Sequence, residues 1–357
     1  MKIHKATETY ETWLVGQIPL IRAEVEKKHE LMKEAVFPFL LATFYRWVQT
    51  FPEHCENLME APTVLGVGDL HVENFGTWRD IEGRLIWGIN DFDEACRLPY
   101  TCDLVRLATS AHLAVQGGHI KISDEKASSA ILAGYRAGLD ARGKPFVLAE
   151  HRSALRDMAR ERLKDPSKFW QKLHALPTLR GKIPSGVQKA LRRQWPEEGL
   201  KLRFAHRVSG LGSLGRRRFV AIAEWRGASI AREAKELAVS AWRWARSRKP
   251  KDAILYQEIL DQAIRCPDPF VHMRGGWIVR RLAPDCSRIE MDSLPAKHDA
   301  MRLLHAMGWE TANIHLGACD ARTLKRDLDK RGPGWLHGAA ERMVQSTMED
   351  WKAWRKG

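Results

Sequence analysis

The sequence has no long hydrophobic run and no paired cysteine motif, and these absences exclude several classes of protein. Among its 357 residues, no apolar stretch reaches the ~18 residues that a membrane-spanning helix needs. The N-terminal segment MKIHKATETYETW lacks the apolar region of a secretory signal. The six cysteines form no CxxC pair, which argues against a zinc knuckle and a disulfide framework. We therefore expect a cytoplasmic protein without a membrane partner.

Positive charge is concentrated in the middle of the chain. The formal net charge is +14, and residues 151–249 hold 25 Lys and Arg against 8 Asp and Glu. The remainder of the chain is nearly balanced, with 33 basic and 36 acidic residues. Such a region is typical of a surface that binds nucleic acid or another anion, but a solvated basic face has the same composition.

Hydrophobic periodicity divides the chain into helical and β-rich parts. The first 60 residues have helical spacing, short apolar runs begin at Thr63, and helical spacing returns from Asp103 onward. After residue 199, alternating runs predict strands around a glycine-rich loop. We predict an α+β protein with a mainly helical lobe (1–198), a β-rich lobe with the glycine-rich loop (199–290) and C-terminal helices (291–357).

The β-rich part contains a glycine loop, Gly210 to Gly215, with the sequence GLGSLG. Its pattern, G-x-G-x-x-G, occurs in dinucleotide-binding folds and in the phosphate-covering loop of kinases. The residues that follow, RRRFVAIAEW, favour a strand rather than a helix, which is the kinase arrangement. An ordinary glycine-rich hairpin is the alternative.

A phosphate site of this kind needs a lysine, and Lys235 is the candidate. The surrounding segment, IAREAKELAVSAWRWA, also has the spacing of an amphipathic helix. In such a helix Lys235 would be a solvated surface charge. Arg216 to Arg218, directly after the loop, reach either phosphates or water.

The stretch from Gly66 to Ala95, the carboxylate segment, holds seven carboxylates between apolar runs. Asp69 and Asn74 have the spacing of a kinase catalytic loop, and Asp91 follows an apolar run as the Asp of D-F-G does. Phosphoryl transfer needs a carboxylate beside the acceptor hydroxyl and oxygen ligands for Mg²⁺. A loop of solvated carboxylates and helix caps is the alternative. His71 is open to three interpretations: a hydrogen bond near the loop, a transition-metal ligand or a packing residue.

Together these motifs support a family resemblance. GDLHVENFG followed by INDFDEACRLPYTCDLVRLA resembles the signature of the aminoglycoside phosphotransferase and choline kinase branch of the protein-kinase-like fold. Over roughly residues 30–320, the chain is also similar to an uncharacterised bacterial domain-of-unknown-function family. That family carries GD-x-H-x-x-NFG, NDFDE, a G-x-G-S-x-G loop and a K-E motif in the same order.

The resemblance implies ATP and Mg²⁺ as cofactors and a role for each motif residue. The implied catalytic base is Asp69, the implied metal ligands are Asn74 and Asp91, and Asp103 braces the catalytic loop, with His71 as a further supporting residue. Asp93, which departs from the kinase pattern by adding negative charge just after Asp91, is the candidate for a second metal ligand. The implied phosphate-binding residues are Gly210, Gly212, Ser213, Gly215 and Lys235, with Glu258 as the glutamate that pairs with the lysine.

The order of the motifs departs from that of kinases. In kinases the glycine loop and lysine precede the catalytic loop, but here Asp69 precedes Gly210. A circular permutation of a two-lobed protein-kinase-like fold, with a helical lobe and a small antiparallel β lobe, accounts for this order.

The resulting functional prediction is an ATP- and Mg²⁺-dependent phosphotransferase that acts on an unknown hydroxyl acceptor, either a small molecule or a protein. Adenylyl transfer and an inactive kinase-like protein stay open. One alternative is a metal-dependent phosphoester hydrolase that uses Asp69, His71, Asp91 and Asp93. The other is a non-catalytic protein that binds nucleotide or, less favoured, nucleic acid.

Overall fold

The computed structural model describes residues 1–148, 150, 155–157, 159, 163–192, 195–246, 253–286 and 297–357. The α-helices in these residues are α1 (Ile3–Val15), α2 (Arg22–Glu34), α3 (Val36–Ala42), α4 (Phe44–His54), α5 (Tyr100–Gln116), α6 (Asp124–Asp140), α7 (Pro166–His174), α8 (Ser185–Arg192), α9 (Ala241–Arg246), α10 (Tyr256–Gln262), α11 (Lys297–His315), α12 (Ala321–Asp329) and α13 (Trp335–Lys356). The strands are β1 (Thr63–Gly66), β2 (Phe75–Arg79), β3 (Leu85–Ile89), β4 (Cys96–Pro99), β5 (Phe146–Val147), β6 (Arg203–His206), β7 (Arg218–Trp225), β8 (Ala228–Glu236), β9 (His272–Arg274) and β10 (Trp277–Leu282).

The predicted α+β class is confirmed, with strands in small antiparallel sheets. β1 pairs with β4, and β2, β3 and β5 form a second sheet. The largest sheet has five strands in the order β6-β7-β8-β10-β9. No helix in the described ranges is long and apolar enough to cross a membrane.

The helical body is centred on α5, in which every residue from Tyr100 to Ala114 is buried. Helices α6, α11 and α13 surround it, so the C-terminal helices complete the core begun by the first 140 residues. Helices α6 and α11 touch backbone to backbone: a Cβ on Gly134 would lie 1.8 Å from the carbonyl oxygen of His305, and a Cβ on Gly308 would lie 1.9 Å from that of Ile131. Glycine at both positions permits this approach.

The five-stranded sheet has two differently covered faces. One face packs against α8 through Phe219, Ala221, Ala234, Trp277 and Val279. The other carries an apolar half covered by α7, formed by Val220, Ile222, Ala231 and Leu282. Since side chains alternate along a strand, Glu233 and Lys235 share this second face with Ala231. The charged half of this face lies toward the loops that follow β1 and β3.

The strands predicted after residue 199 are confirmed, and the helical alternative for the segment around Lys235 is wrong. The part of the segment that carries Lys235 lies in β8, which is hydrogen-bonded to β7 on one side and β10 on the other, whereas the last part begins α9. The sheet thus buries the segment between two neighbours, and that tertiary context overrides its helical spacing.

Candidate functional site

Asp69 lies just beyond β1, and an arginine fixes one of its carboxylate oxygens. Arg106 of α5 donates from Nε and Nη2 to Oδ1 of Asp69, at 3.1 and 2.7 Å. The arginine is fully buried, stacks on Phe44 and Trp47, and also donates to the carbonyl oxygen of Leu40. Oδ2 of Asp69 accepts no hydrogen bond from the residues that the structure describes. Burial raises the pKa of Asp69, while Arg106 opposes this effect.

Asp103 holds the loop that carries Asp69. Its two carboxylate oxygens accept the backbone N–H groups of Val67 and Gly68 at 2.7 and 2.8 Å. His315 of α11 lies 3.0 Å from Oδ2 through Nε2, and its Nδ1 lies 2.9 Å from the hydroxyl of Tyr135. The Asp103 and His315 side chains are fully buried. This network ties the loop to three helices of the body.

Asn74 links the two halves of the carboxylate segment. Its Nδ2 donates to the carbonyl oxygens of Asp69 and Asp91, at 3.0 and 3.4 Å. His71 begins the short 3₁₀ turn before it, with Nδ1 accepting the N–H of Glu73 at 3.2 Å. Asn74 therefore fixes the spacing between the loops after β1 and β3.

Lys235 reaches from the sheet to the two carboxylates beyond β3. Its Nζ lies 2.5 Å from Oδ1 of Asp93 and 3.3 Å from Oδ1 of Asp91. Burial lowers the pKa of the Lys235 ammonium, and Asp91 and Asp93 counteract it. The ammonium marks a point inside the protein where a positive charge contacts two carboxylates at once.

Arg216 makes a second connection across the same gap. It follows the glycine loop and contacts Oε1 of Glu94 at 3.1 Å and Oδ2 of Asp93 at 3.7 Å. The other oxygen of Glu94 accepts the N–H of Ala241 at 2.6 Å. The side chain of Arg216 is only 5% exposed, and its Nη1 donates no hydrogen bond to the residues that the structure describes.

The glycine loop bends over Asp69. Residues Leu211–Ser213 form a 3₁₀ turn, and a Cβ on Gly212 would lie 2.8 Å from the carbonyl oxygen of Leu41 and 3.8 Å from Oδ2 of Asp69. Lys28 of α2 donates to the carbonyl oxygen of Gly212 at 3.4 Å. Burial lowers the pKa of Lys28 to about 8. The loop is thus close enough to the catalytic candidate to share a ligand with it.

A cleft of about 400 Å³ lies between the sheet and the helical body. Its lining includes the Asp69 loop, the carboxylates beyond β3 and the start of the glycine loop, whereas Lys235, Asp103 and Gly215 are not among its lining residues. The residues predicted from the sequence that line it are Asp69, His71, Asn74, Asp91, Asp93, Gly210, Gly212 and Ser213. In the described part of the chain, no group of three His, Cys, Asp or Glu side chains is arranged to hold a metal ion by itself.

Glu258 does not take the predicted place beside Lys235. It lies on α10 and accepts from Nη2 of Arg97 at 2.6 Å and from Gln262 at 3.2 Å. The Lys235 ammonium instead contacts Asp91 and Asp93, so the expected lysine–glutamate pair is absent.

Sequence reasoning missed several charged residues of the site. The sequence motifs do not identify Arg106, Arg207 or Arg280, and they leave two interpretations of Arg216 open. The available signal was a charge within an otherwise apolar element, as in DLVRLA for Arg106 and WIVRRL for Arg280. Such a charge is buried only with a partner, which a single sequence does not identify.

Residues 20–173 match the model of a family described as uncharacterized proteins conserved in bacteria, DUF2252. The match includes the carboxylate segment and ends before the glycine loop. No curated protein and no solved structure matches the chain.

Proposed function

We propose that the cleft is the active site of an ATP- and Mg²⁺-dependent phosphotransferase with a circularly permuted, two-lobed kinase-like fold. The observation that carries this proposal is the contact of the Lys235 ammonium with Asp91 and Asp93. The lysine and the carboxylates come from distant parts of the chain, and the carboxylates line the same cleft as the glycine loop. Phosphoryl transfer depends on positioning and charge neutralisation, for which these are the required residue types.

The donor set fits Mg²⁺. Asp91 and Asp93 already share one cation, the Lys235 ammonium, and the amide of Asn74 lies beside Asp91. Mg²⁺ in proteins is usually held by one or two carboxylates, with water and substrate phosphates completing its coordination. Asp91, Asp93 and Asn74 would hold the ion, which when bound neutralises charge on the transferred phosphoryl group.

Asp69 has the features of the base that accepts the proton of the acceptor hydroxyl. Arg106 fixes Oδ1, which leaves Oδ2 at the cleft close to the glycine loop. Burial raises the pKa of this carboxyl, which increases its affinity for a proton. Lys235 would bind the phosphates of the nucleotide, and the N–H groups of the glycine loop would approach them from the other side.

The first test is calorimetric titration with ATP, with and without Mg²⁺, on the wild type and Asp91→Ala. We expect Mg²⁺-dependent binding that Asp91→Ala weakens at least about tenfold, because the variant removes a metal ligand. Asp350→Ala is the matched control: Asp350 is similarly buried, at 15% against 18% exposure, and is also paired with a basic side chain, but lies outside the cleft.

Nucleotide turnover extends this test from binding to chemistry. Release of ADP that depends on a candidate hydroxyl acceptor indicates phosphoryl transfer. Release of pyrophosphate instead indicates adenylyl transfer. The proposal is wrong if the wild type binds no nucleotide, or if Asp91→Ala binds MgATP as tightly as Asp350→Ala does.

A further inference from the structure

Three arginines surround one buried glutamate on the cleft side of the five-stranded sheet. Oε1 of Glu233 accepts from Nη1 of Arg218 at 2.9 Å and from Nε and Nη2 of Arg280 at 2.8 and 2.6 Å. Oε2 accepts from Nη1 of Arg207 at 2.5 Å. The Glu233 side chain is fully buried. We call these four residues the arginine cluster.

The arginine cluster has a net positive charge, because Glu233 neutralises only one of its three arginines. Three guanidinium groups, which stay protonated in proteins, share a single carboxylate, and this leaves a surplus of two positive charges. The nearby carboxylates of Asp91 and Asp93 already contact Lys235. Arg218 is 3% exposed, so water screens its charge poorly. A surplus of buried like charge is costly unless an anion compensates it.

The arginine cluster is placed to meet a ligand in the cleft. Arg207 and Arg280 line the cleft, and Nη2 of Arg218 donates to Oγ of Ser213 in the glycine loop at 2.8 Å. Glu233 and Lys235 project from the same face of β8. An anion that enters between the glycine loop and the sheet therefore encounters the guanidinium groups of Arg207 and Arg280.

We propose that the arginine cluster is a subsite for a phosphate group, in addition to the phosphates that Lys235 would bind. Arg207 and Arg280 contact the phosphate, and Glu233 holds their guanidinium groups in place. The planar fork of arginine binds phosphate oxygens in pairs, which makes it better suited to this task than lysine. Only the identity of the molecule that carries the phosphate, the nucleotide or the acceptor, rests on the proposed function.

Metal binding and phosphate binding should reinforce each other at this subsite. A divalent cation on Asp91 and Asp93 uses up the nearest negative charges, so the surroundings of the arginine cluster become more positive. The attraction for a second anionic group then rises. Mg²⁺ should thus increase the affinity for polyphosphate.

The test is calorimetric titration of the full chain with tripolyphosphate, first in EDTA and then in Mg²⁺, at fixed ionic strength. We expect the wild type to bind and Arg207→Gln to bind at least about tenfold more weakly, as for the loss of a charge-assisted hydrogen bond. Arg217→Gln is the matched control. Arg207 and Arg217 are 26% and 28% exposed, each is paired with one glutamate, and Arg217 lies outside the cleft.

A second variant guards against a folding defect. Arg280→Lys keeps the positive charge but removes the fork that contacts Glu233, so it should also weaken tripolyphosphate binding. Thermal melting of each variant establishes that it is folded. Equal weakening by Arg207→Gln and Arg217→Gln, or no binding by the wild type, overturns the subsite.

Competition with ATP identifies the source of the phosphate. If ATP displaces tripolyphosphate, the subsite binds a phosphate of the nucleotide; if inorganic phosphate still binds to the ATP-saturated protein and requires Arg207, the phosphate belongs to the acceptor. Suppose that Asp91→Ala loses ATP binding, Arg207→Gln binds ATP as the wild type does, and no phosphate binding depends on Arg207. This result overturns the subsite but not the proposed function. Arg207-dependent tripolyphosphate binding without any nucleotide binding supports the subsite and overturns the proposed function.

Discussion

A single buried carboxyl, that of Glu310, connects the C-terminal helices to the strand that leads to Asp91. Glu310 lies on α11 and is 1% exposed. Its oxygens accept from Nδ2 of Asn313 at 2.7 Å and from the N–H of Ile89, at the end of β3, at 3.4 Å. Burial raises the pKa of Glu310 to about 7, with Arg265 acting in the opposite direction. The charge of this carboxyl therefore changes near neutral pH.

Replacement of Glu310 by glutamine should reduce the pH dependence of stability. In the folded protein the pKa lies above its ordinary value of 4.5, so the folded state binds the proton more tightly and stability falls as pH rises between these values. From pH 5 to pH 8, the wild type should lose about 2–3 kcal/mol of unfolding free energy relative to Glu310→Gln. Urea unfolding at both pH values measures this difference.

Glu341→Gln is the control for this measurement, since Glu341 is 60% exposed on α13. Its pH profile should follow that of the wild type. Parallel profiles for the wild type and Glu310→Gln would show that Glu310 is ionised at the same pH in the folded and unfolded states.

The sequence identifies candidate functional residues more readily than it identifies the residues they contact. Asp69, Asn74 and Asp91 stand at the ends of apolar runs, and the structure brings them together. The kinase resemblance implies Glu258 as the helical glutamate that pairs with the lysine, but its helix brings it to Arg97. Partners depend on tertiary packing, and local spacing carries little information about it.

At the scale of elements, the glycine loop is held between the sheet and the N-terminal helices. Arg216, directly after the loop, forms an antiparallel bridge with Leu20, and the N–H of Ile21 donates to the carbonyl oxygen of Gly215 at 2.8 Å. These contacts fix the end of the loop. Its tip at Gly212 is fixed by its approach to Leu41.

Gly212→Ala should weaken nucleotide binding by displacing the tip of the loop. The added Cβ would lie 2.8 Å from the carbonyl oxygen of Leu41, a backbone atom that cannot move aside cheaply. We expect MgATP affinity to fall about tenfold, because the N–H groups lose their alignment with the phosphates. Calorimetric titration measures this loss.

Gly227→Ala separates this effect from a general effect on the sheet. Gly227 lies in the turn between β7 and β8 with φ +82°, and, apart from its chain neighbours, no heavy atom of the described residues lies within 4 Å of its Cβ position. Alanine there should cost about 1–2 kcal/mol of stability from backbone strain but leave ATP affinity unchanged. Equal losses of affinity in both variants would contradict the role given to Gly212.

Strand and helix assignments could be predicted where the pattern is repeated over several residues. The apolar runs of β3 and β10 correctly predict strands. The helical spacing before residue 60 correctly predicts helices. The segment of β8 could not be resolved, because its alanines and charges fit both a strand and an amphipathic helix. Its pairing with β7 and β10 decides the matter, and that information lies elsewhere in the chain.

At the scale of the molecule, the helical body is built from two distant parts of the chain. Helices α5 and α6 come before the five-stranded sheet, and α11 and α13, which pack on them, come after it. The predicted boundaries after residues 198 and 290 separate segments that are contiguous in sequence. The main hydrophobic core, however, contains residues from both the first and the last of these segments. Periodicity predicts the helices but does not indicate which of them pack together.

A chain that ends at Cys286 should therefore fail to fold cooperatively. It lacks the apolar side chains that α11 and α13 bury, including Leu303, Leu304, Met307, Leu336 and Met343. Each contributes about 1.5–3 kcal/mol, and together they rival the 5–15 kcal/mol that stabilises a typical domain. Asp103 also loses His315, so the loop that carries Asp69 is held less firmly. Circular dichroism during urea titration should show a shallow, non-cooperative change.

Helices α11 and α13 pack on the rest of the body through non-covalent contacts. Co-expression of residues 297–357 with the chain that ends at Cys286 should therefore restore a cooperative transition and ATP binding in the cleft. Full-length Asp91→Ala is the control, since it should lose ATP binding but unfold as cooperatively as the wild type. If the chain that ends at Cys286 unfolds in one steep transition by itself, the C-terminal helices are an appendage to the body. In that case the loop around Asp69 is held by the N-terminal part alone, and the role of His315 in positioning Asp103 is wrong.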